Sequence, residues 1–186
     1  MILFVNACVR EESRTRRIAE HLLQKLNDDI KEVDLHKLDF PRVEEDFINW
    51  RNDASVQSNF LDETFDLAKD FAQADKIVIA APYWDLSFPA SLKQYIEQIN
   101  VLGITFAYTE DGQPKGLCKA KKLYYVTTAG GPIYSDAYGF GYVKALAQTF
   151  YGIQDVAQIK AEGLDLIGAD VEGILAKAFA DCDQLD

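Results

Sequence analysis

The chain has 186 residues and a formal net charge of −11, and apolar residues make up 48% of it. This length suits one domain with a sizeable core, so we expect a single domain over residues 1–186. The excess of acidic residues disfavours binding to nucleic acid and to anionic membranes, because both carry negative charge. It also means that any site for a phosphate must be locally positive or built from backbone N–H groups.

The three cysteines, Cys8, Cys118 and Cys182, are odd in number and far apart in the sequence. This pattern is typical neither of a disulfide framework nor of a metal site, and a reducing, cytoplasmic compartment is the simple interpretation. The longest apolar runs have the length of a strand, so no transmembrane span is predicted. The apolar start Met1–Val5 lacks the basic region of a signal peptide, and we expect no such peptide.

The first half of the chain alternates apolar runs with helical periodicity. The apolar run at residues 1–5 predicts a strand covered on both faces, and a helix capped by Ser13 or Thr15 follows it. Residues 36–60 carry proline, acids and amides, and are expected to form a loop with short helical turns. The further predicted elements are a helix around Ile18–Leu26, a strand Lys31–Leu35, a helix Leu61–Ala74 and a strand Lys76–Ala81.

The second half continues the alternation of helix and strand. Pro89 suits the first turn of a helix, and Asp111-Gly112 is a hairpin-turn signal within residues 103–118. The predicted elements are a helix Pro89–Asn100, a strand Lys122–Thr128, a helix Gly139–Tyr151, a strand Val156–Ala161 and an amphipathic helix Val171–Phe179.

Strands that alternate with helices indicate an α/β fold with a parallel sheet and right-handed crossovers. Five strands and about five helices fit a three-layer α/β/α architecture with a five-stranded parallel sheet in the order 2-1-3-4-5. In such sheets, ligands bind outside the carboxyl ends of the strands, at the switch point between the first and third strands. The loops after Val5, after Ala81 and after Thr128 are therefore the candidate site.

The first of these loops ends in Ser13-Arg14-Thr15 at a predicted helix start. A helix N-terminus offers free N–H groups and the positive end of a dipole, which fit a phosphate, and two hydroxyl groups add donors. Local positive charge is expected from four arginines, partly offset by two glutamates. These arginines are Arg10, Arg14, Arg16 and Arg17. The alternative is an ordinary helix cap with a solvated charged face.

The second loop, Pro82-Tyr83-Trp84-Asp85-Leu86, places two large aromatic residues directly after a buried strand. A flat ring system could stack there; alternatively, the aromatic residues cover the sheet end or form a subunit interface. The third loop, Thr128-Ala129-Gly130-Gly131, has paired glycines that let the backbone approach a ligand, although turn chemistry alone also explains them. Together the three loops suit FMN, which has a phosphate, a flat ring system and a polar edge.

At these loops the chain resembles the FMN-dependent NAD(P)H oxidoreductases of the azoreductase and quinone reductase family, which have a flavodoxin-like fold. Ser13-Arg14-Thr15 matches the family's Ser-x-Ser phosphate loop, and 82–86 matches its Pro-Met-Tyr-Asn-Phe flavin loop. Residues 128–131 match its Ser-Arg-Gly-Gly loop, and 103–112 match its Gly-Val-Thr-Phe-x-Tyr-Thr-x-x-Gly segment. The resemblance covers essentially the whole chain. In two departures, Asp85 replaces the usual Asn and Ala129 replaces Arg.

The resemblance implies that NADH or NADPH passes a hydride to bound FMN, and that a small-molecule acceptor, a quinone, azo or nitro compound, then takes the electrons. It implies a homodimer with the flavin at the interface, and it makes Tyr108 and Tyr134 candidates for lining the substrate cavity. Because the cofactor carries the chemistry, we assign no catalytic acid or base and no metal ligand. His21 and His36 are predicted to be surface residues.

Other classes of protein share features with this sequence. A flavodoxin-type electron carrier suits the acidic composition, but its Thr-x-Thr-Gly-x-Thr phosphate loop is absent. A phosphorylated receiver domain needs acidic residues where this chain has Asn6-Ala7 and Pro82-Tyr83. The scattered cysteines disfavour an iron–sulfur flavoprotein. A flavin-binding regulator of the same fold stays open, and the sequence assigns neither the physiological acceptor nor the choice between NADH and NADPH.

Overall fold

A computed structural model describes residues 1–185 of the chain as alternating strands and helices. The strands are β1 Ile2–Asn6, β2 Ile30–Asp34, β3 Lys76–Ala80, β4 Phe106–Tyr108, β5 Pro114–Gly116, β6 Lys122–Thr128 and β7 Asp155–Ala161. The α-helices are α1 Arg14–Leu26, α2 Glu45–Val56, α3 Asp66–Gln73, α4 Ala90–Ile99, α5 Phe140–Leu146 and α6 Val171–Asp183. Short 3₁₀ helices occur at Leu35–Lys37 and Glu63–Phe65, and a π-helix at Ala147–Tyr151 directly follows α5.

Five strands form one parallel sheet in the order β2-β1-β3-β6-β7. This is the predicted order 2-1-3-4-5, since the two short strands β4 and β5 pair with each other in a separate antiparallel hairpin. The predicted three-layer α/β architecture is therefore confirmed. Its consequence for function is that the carboxyl ends of β1, β3, β6 and β7 share one edge.

The sheet is buried on both faces, as its continuous apolar strands predict. One core cluster lies between the sheet and α1 and α6, and the other lies between the sheet and α3, α4 and α5. Helix α1 buries the face formed by Ile18, Ala19, Leu22 and Leu23, which is the spacing that one helical face requires. No helix within residues 1–185 has the length and apolar character needed to cross a membrane.

Residues 36–60 differ from the predicted loop, because α2 occupies the middle of this segment. Ala54 is the buried residue of α2, so the sequence lacks the apolar face that periodicity detects. The predicted helix Leu61–Ala74 also begins later in the structure, where α3 starts at Asp66. Leu61 is 92% exposed, and Asp62 first caps a 3₁₀ turn before α3 begins.

The hairpin β4–β5 packs on the π-helix through a direct contact between backbones. A Cβ atom on Gly116 would lie 2.2 Å from the carbonyl carbon of Tyr151 and from the backbone nitrogen of Gly152. Only glycine permits this approach. The predicted turn Asp111-Gly112 lies at the far end of the hairpin, where Gly112 has a φ of 78° and space around it.

Candidate cofactor-binding site

A cavity of about 850 Å³ opens at the carboxyl edge of the sheet. Its walls come from the loops after β1, β3, β6 and β7, which is the switch-point position expected from the strand order. Most residues predicted to bind the cofactor line it: Ser13, Arg14, Thr15, Pro82, Tyr83, Trp84, Thr128, Ala129 and Gly130. Among the predicted residues, Asp85, Leu86 and Gly131 lie outside this lining.

The start of α1 faces the cavity with unused donors. Ser13 is the N-cap, and its Oγ accepts a hydrogen bond of 3.3 Å from the backbone N–H of Arg16. The backbone N–H groups of Arg14 and Thr15 have no acceptor in hydrogen-bonding geometry among residues 1–185. These N–H groups stand at the positive end of the helix dipole and are available to an anion.

Two buried hydroxyl groups join the first and third loops. The Oγ1 atoms of Thr15 and Thr128 lie 2.6 Å apart, and the side chains are 1% and 9% exposed. Either hydroxyl can be the donor, so the other keeps a proton to offer to a ligand in the cavity.

The expected cluster of free positive charge is largely absent, because three of its arginines are paired with carboxylates. Arg14 binds Asp165 at 2.7 Å, Arg16 binds Glu20 at 2.7 Å, and Arg17 makes two bonds of 3.1 Å to Glu172. The sequence reveals only the pair of Arg16 with Glu20, which has the i,i+4 spacing of a helix, because the other two pairs join residues far apart in the chain. Arg10 lines the cavity and has no side-chain partner within residues 1–185.

The aromatic loop after β3 ends in a tight turn. Trp84 and Ser87 exchange two backbone hydrogen bonds, of 3.1 and 2.7 Å, and the two residues between them have positive φ angles of 51° and 66°. This is the pattern of a type I′ turn, although it is built here without glycine. Asp85 and Leu86 lie outside the cavity lining, whereas Tyr83 and Trp84 belong to it, although Trp84 is itself exposed.

The glycine loop after β6 packs against the loop after β7, which is not among the three predicted loops. The backbone N–H groups of Leu164 and Asp165 donate to the carbonyls of Ala129 and Gly130, and both residues line the cavity. A Cβ atom on Gly130 would lie 2.3 Å from Oδ2 of Asp165. The available signal was the position of this loop after the last predicted strand, because parallel strands end at the same edge.

Cys8 and the two histidines do not place an acid or a base in the cavity. Burial raises the pKa of Cys8, which lies within the first loop, to about 11, so its thiol stays protonated near neutral pH. His21 binds Asp183 on the far side of α1, and His36 is exposed; both stand outside the described cavity lining. Tyr108 and Tyr134 are also exposed and stand outside this lining.

Comparison with known proteins identifies relatives over nearly the whole chain. A family model described as "Flavodoxin-like fold" matches residues 1–185. An FMN-dependent NADH:quinone oxidoreductase of Coprothermobacter proteolyticus is 39% identical over 99% of this chain and 96% of its own length. An FMN-dependent NADH:quinone oxidoreductase 2 of Clostridium acetobutylicum is 41% identical over 94% of this chain and 92% of its own.

Solved structures agree with the sequence comparison. An azoreductase from Bacillus anthracis superposes with a TM-score of 0.82 at 28% identity, covering 97% of this chain and 95% of its own. The chain is therefore similar in fold to an azoreductase and similar in sequence to quinone oxidoreductases.

Proposed function

This chain belongs to the flavodoxin-like family that contains the FMN-dependent NADH:quinone oxidoreductases, and on that premise we propose that it catalyses the same reaction and also reduces azo compounds. The observation that carries the proposal is the cavity, which combines free N–H donors, an unpaired arginine and an aromatic wall at one sheet edge. The names of the relatives support the reaction class, and the fold of the azoreductase supports the second acceptor.

One end of the cavity fits the phosphate of FMN. The N–H groups of Arg14 and Thr15 are free at the start of α1, and the Ser13 hydroxyl, which accepts from Arg16 and also contacts the Cys8 thiol, lies beside them. Arg10 supplies a cation that makes no ion pair within residues 1–185, although Glu11 and Glu12 line the same cavity and offset part of its charge. These residues would hold a phosphate by backbone donors and one cation, which suits a chain of net charge −11.

The other end fits a flat, polar-edged ring system. Tyr83 and Trp84 supply aromatic surface on one wall, and the backbone of Thr128–Gly130 supplies the wall beside it. Aromatic faces stack on a planar ring, and close-lying backbone groups can bond to a heterocycle edge. The residues present therefore fit FMN as a whole.

Bound FMN would supply the two-electron chemistry, with NADH as the donor and a quinone, azo or nitro compound as the acceptor. The residues of this chain would bind the FMN, orient it and shield it from solvent. The cavity wall of described residues contains no histidine, and the Cys8 thiol stays protonated. Because the flavin carries the chemistry, we assign no side chain to proton transfer at the acceptor, and we assign specificity to the shape of the cavity and its rim.

A homodimer is part of the proposal, because the segments that follow β3 and β6 expose aromatic side chains. Trp84, Tyr138 and Tyr134 are 43%, 61% and 80% exposed. Exposed aromatic surface of this kind marks an interface. We propose that Tyr108 and Tyr134 line the substrate cavity in the assembled dimer. Light scattering at micromolar concentration tests the assembly, and a monomer would contradict it.

We further propose that the enzyme works in the cytoplasm. All three cysteines are free thiols in the structure, as expected for a reducing compartment. Fractionation of the producing cells followed by immunodetection tests this, and recovery outside the cytoplasmic fraction would contradict it.

The test of the function begins with the purified protein. A two-banded flavin spectrum is expected, and the released cofactor should be FMN by chromatography. The protein should then oxidise NADH when menadione or an azo dye is supplied. A flavin-loaded protein that is inert in this assay would be an electron carrier or a regulator, and a protein that binds no flavin would contradict the proposal entirely.

A further inference from the structure

A polar side chain is buried at the point where β1 becomes the β1–α1 loop, residues 7–13. Asn6, the last residue of β1, is 0% exposed. Its Oδ1 accepts a 3.0 Å hydrogen bond from the backbone N–H of Cys8, and its Nδ2 donates a 2.9 Å bond to Oε1 of Glu32. The bond to Cys8 closes a turn in which an Asn side chain fixes the backbone two residues on.

Glu32 connects both ends of the β1–α1 loop. It lies on the edge strand β2, outside the cavity lining, and its side chain is 35% exposed. Besides the bond from Asn6 at the start of the loop, its carboxylate pairs at 3.4 Å with Arg16 in the first turn of α1, just beyond the loop's end. A residue remote from the cavity thus restrains the loop that forms one wall.

The chemistry of this contact requires Asn at position 6. Asn carries an acceptor for Cys8 and a donor for Glu32, whereas an ionised Asp only accepts. An Asp at this position would place one carboxylate against another in a buried place, which is strongly unfavourable. The arrangement therefore depends on the direction of the bond and not on the size of the side chain.

We propose that Asn6 and Glu32 are a positioning pair that holds the β1–α1 loop in the conformation that binds the FMN phosphate. The inference rests on the proposed function, since it assigns the phosphate to this loop. Neither residue touches the cofactor; each acts through the backbone of the loop and the first turn of α1.

The test is an exchange of the two functional groups. Asn6→Asp should weaken FMN binding to the apoprotein about tenfold or more, because it opposes two carboxylates. Glu32→Gln, which can still accept from Asn6, should change the affinity by about threefold or less. The double variant Asn6→Asp/Glu32→Gln restores a donor and an acceptor in reversed order and keeps the local charge. It should recover FMN affinity to within about threefold of the unmodified protein.

Three controls make the result specific. Glu20→Gln removes another partner of Arg16 without touching Asn6, and should leave FMN affinity unchanged. Riboflavin, which lacks the phosphate, should bind every variant with similar affinity. Thermal unfolding of each apoprotein measures stability separately from FMN affinity. Recovery of affinity is judged on the double variant, which preserves the hydrogen bond between positions 6 and 32.

The outcomes separate this inference from the proposed function. If the unmodified protein binds no FMN, the proposed function is wrong. If it binds FMN but Asn6→Asp binds equally well, or if the double variant is folded and does not recover, the positioning pair is wrong. Parallel losses for FMN and riboflavin would also overturn it, because they would indicate a general loss of structure.

Discussion

The hydroxyl groups of Thr15 and Thr128 lie 2.6 Å apart in a buried position, and they join the first turn of α1 to the end of β6. Two walls of the cavity, which are more than a hundred residues apart in the sequence, are therefore fastened by one hydrogen bond. Ser13, two residues before Thr15, caps the same helix. A change at either hydroxyl alters both a structural bond and a donor that faces the cavity.

Replacing Ser13 and Thr15 together by Ala should weaken FMN binding about tenfold or more, at about 1 kcal/mol for each hydrogen bond lost. Riboflavin binding should change little, since it has no phosphate. Fluorescence titration of the apoprotein with both ligands measures this. Equal losses for the two ligands would contradict the assignment of these hydroxyls to the phosphate.

Arg10→Gln should weaken FMN binding roughly tenfold to a hundredfold, because hydrogen bonds to charged groups contribute about 1.5–3 kcal/mol. Arg10 is the unpaired cation of the described cavity lining. Arg17→Gln is the matched control, since Arg17 lines the same cavity but is held by Glu172, and it should lose much less. Titrations at two salt concentrations add a check: the salt dependence should shrink only in the Arg10 variant. Similar losses of FMN affinity in both variants would show that Arg10 contributes no more than the paired Arg17.

The glycine loop allows a comparison of neighbouring positions. Gly130→Ala should weaken FMN binding, because its Cβ atom would lie 2.3 Å from Oδ2 of Asp165 and the two loops that form this part of the cavity wall would have to move apart. Gly131→Ala should have almost no effect, as nothing lies within 4 Å of the new Cβ atom. Isothermal titration with FMN distinguishes them, and a larger loss at position 131 would be inconsistent with the structure.

Asp85→Asn should raise the two-electron potential of the bound flavin, since a carboxylate opposes the negative charge that reduction builds. The side chain is exposed and lies outside the cavity lining, so the interaction is screened. Two charges 4 Å apart in water interact by about 1 kcal/mol, which sets an upper limit of about 20 mV. Potentiometric titration against a reference dye measures the shift. A lowered potential in the variant would contradict the predicted direction of the shift.

Two buried tyrosines should respond differently to loss of their hydroxyl groups. Tyr95 OH has no hydrogen-bond partner among residues 1–185, whereas Tyr151 OH donates a 2.8 Å bond to Oδ1 of Asn100. Tyr95→Phe should leave the free energy of unfolding unchanged or raise it by about 1 kcal/mol, and Tyr151→Phe should lower it by about 1 kcal/mol. Urea unfolding measures both, and a destabilised Tyr95→Phe would show that this hydroxyl is satisfied in solution.

The sheet could be predicted from the sequence because its strands are continuous apolar runs, as in β3, whose residues 77–80 are all buried. The same reasoning missed α2, since a helix with one buried residue leaves no periodic signal. Secondary structure can thus be predicted where a buried face imposes a pattern of apolar residues, and it cannot be predicted in this way where a segment is exposed.

The candidate site was only partly predictable for a different reason. Strand ends can be located in a sequence, so the three loops were found, but the ion pair of Arg14 with Asp165 spans 151 positions and leaves no local pattern. The sequence therefore predicts more unpaired positive charge at the cavity than the structure has. Asp85 and Leu86 lie outside the lining because two consecutive positive φ angles reverse the chain there, and neither is the glycine that usually signals such a turn.

The contact between Gly116 and the backbone at Gly152 has a practical consequence for labelling this protein. The base of the hairpin β4–β5 tolerates no added atoms, whereas Gly112 near its tip has nothing within 4 Å of an added Cβ atom. Since the φ of 78° at Gly112 favours glycine, a fluorophore-bearing cysteine is better introduced at the exposed Glu110 beside it, where it would be carried on a segment whose base is firmly seated. Such a probe would report on the surroundings of the hairpin in solution without loosening the sheet on which the cavity is built.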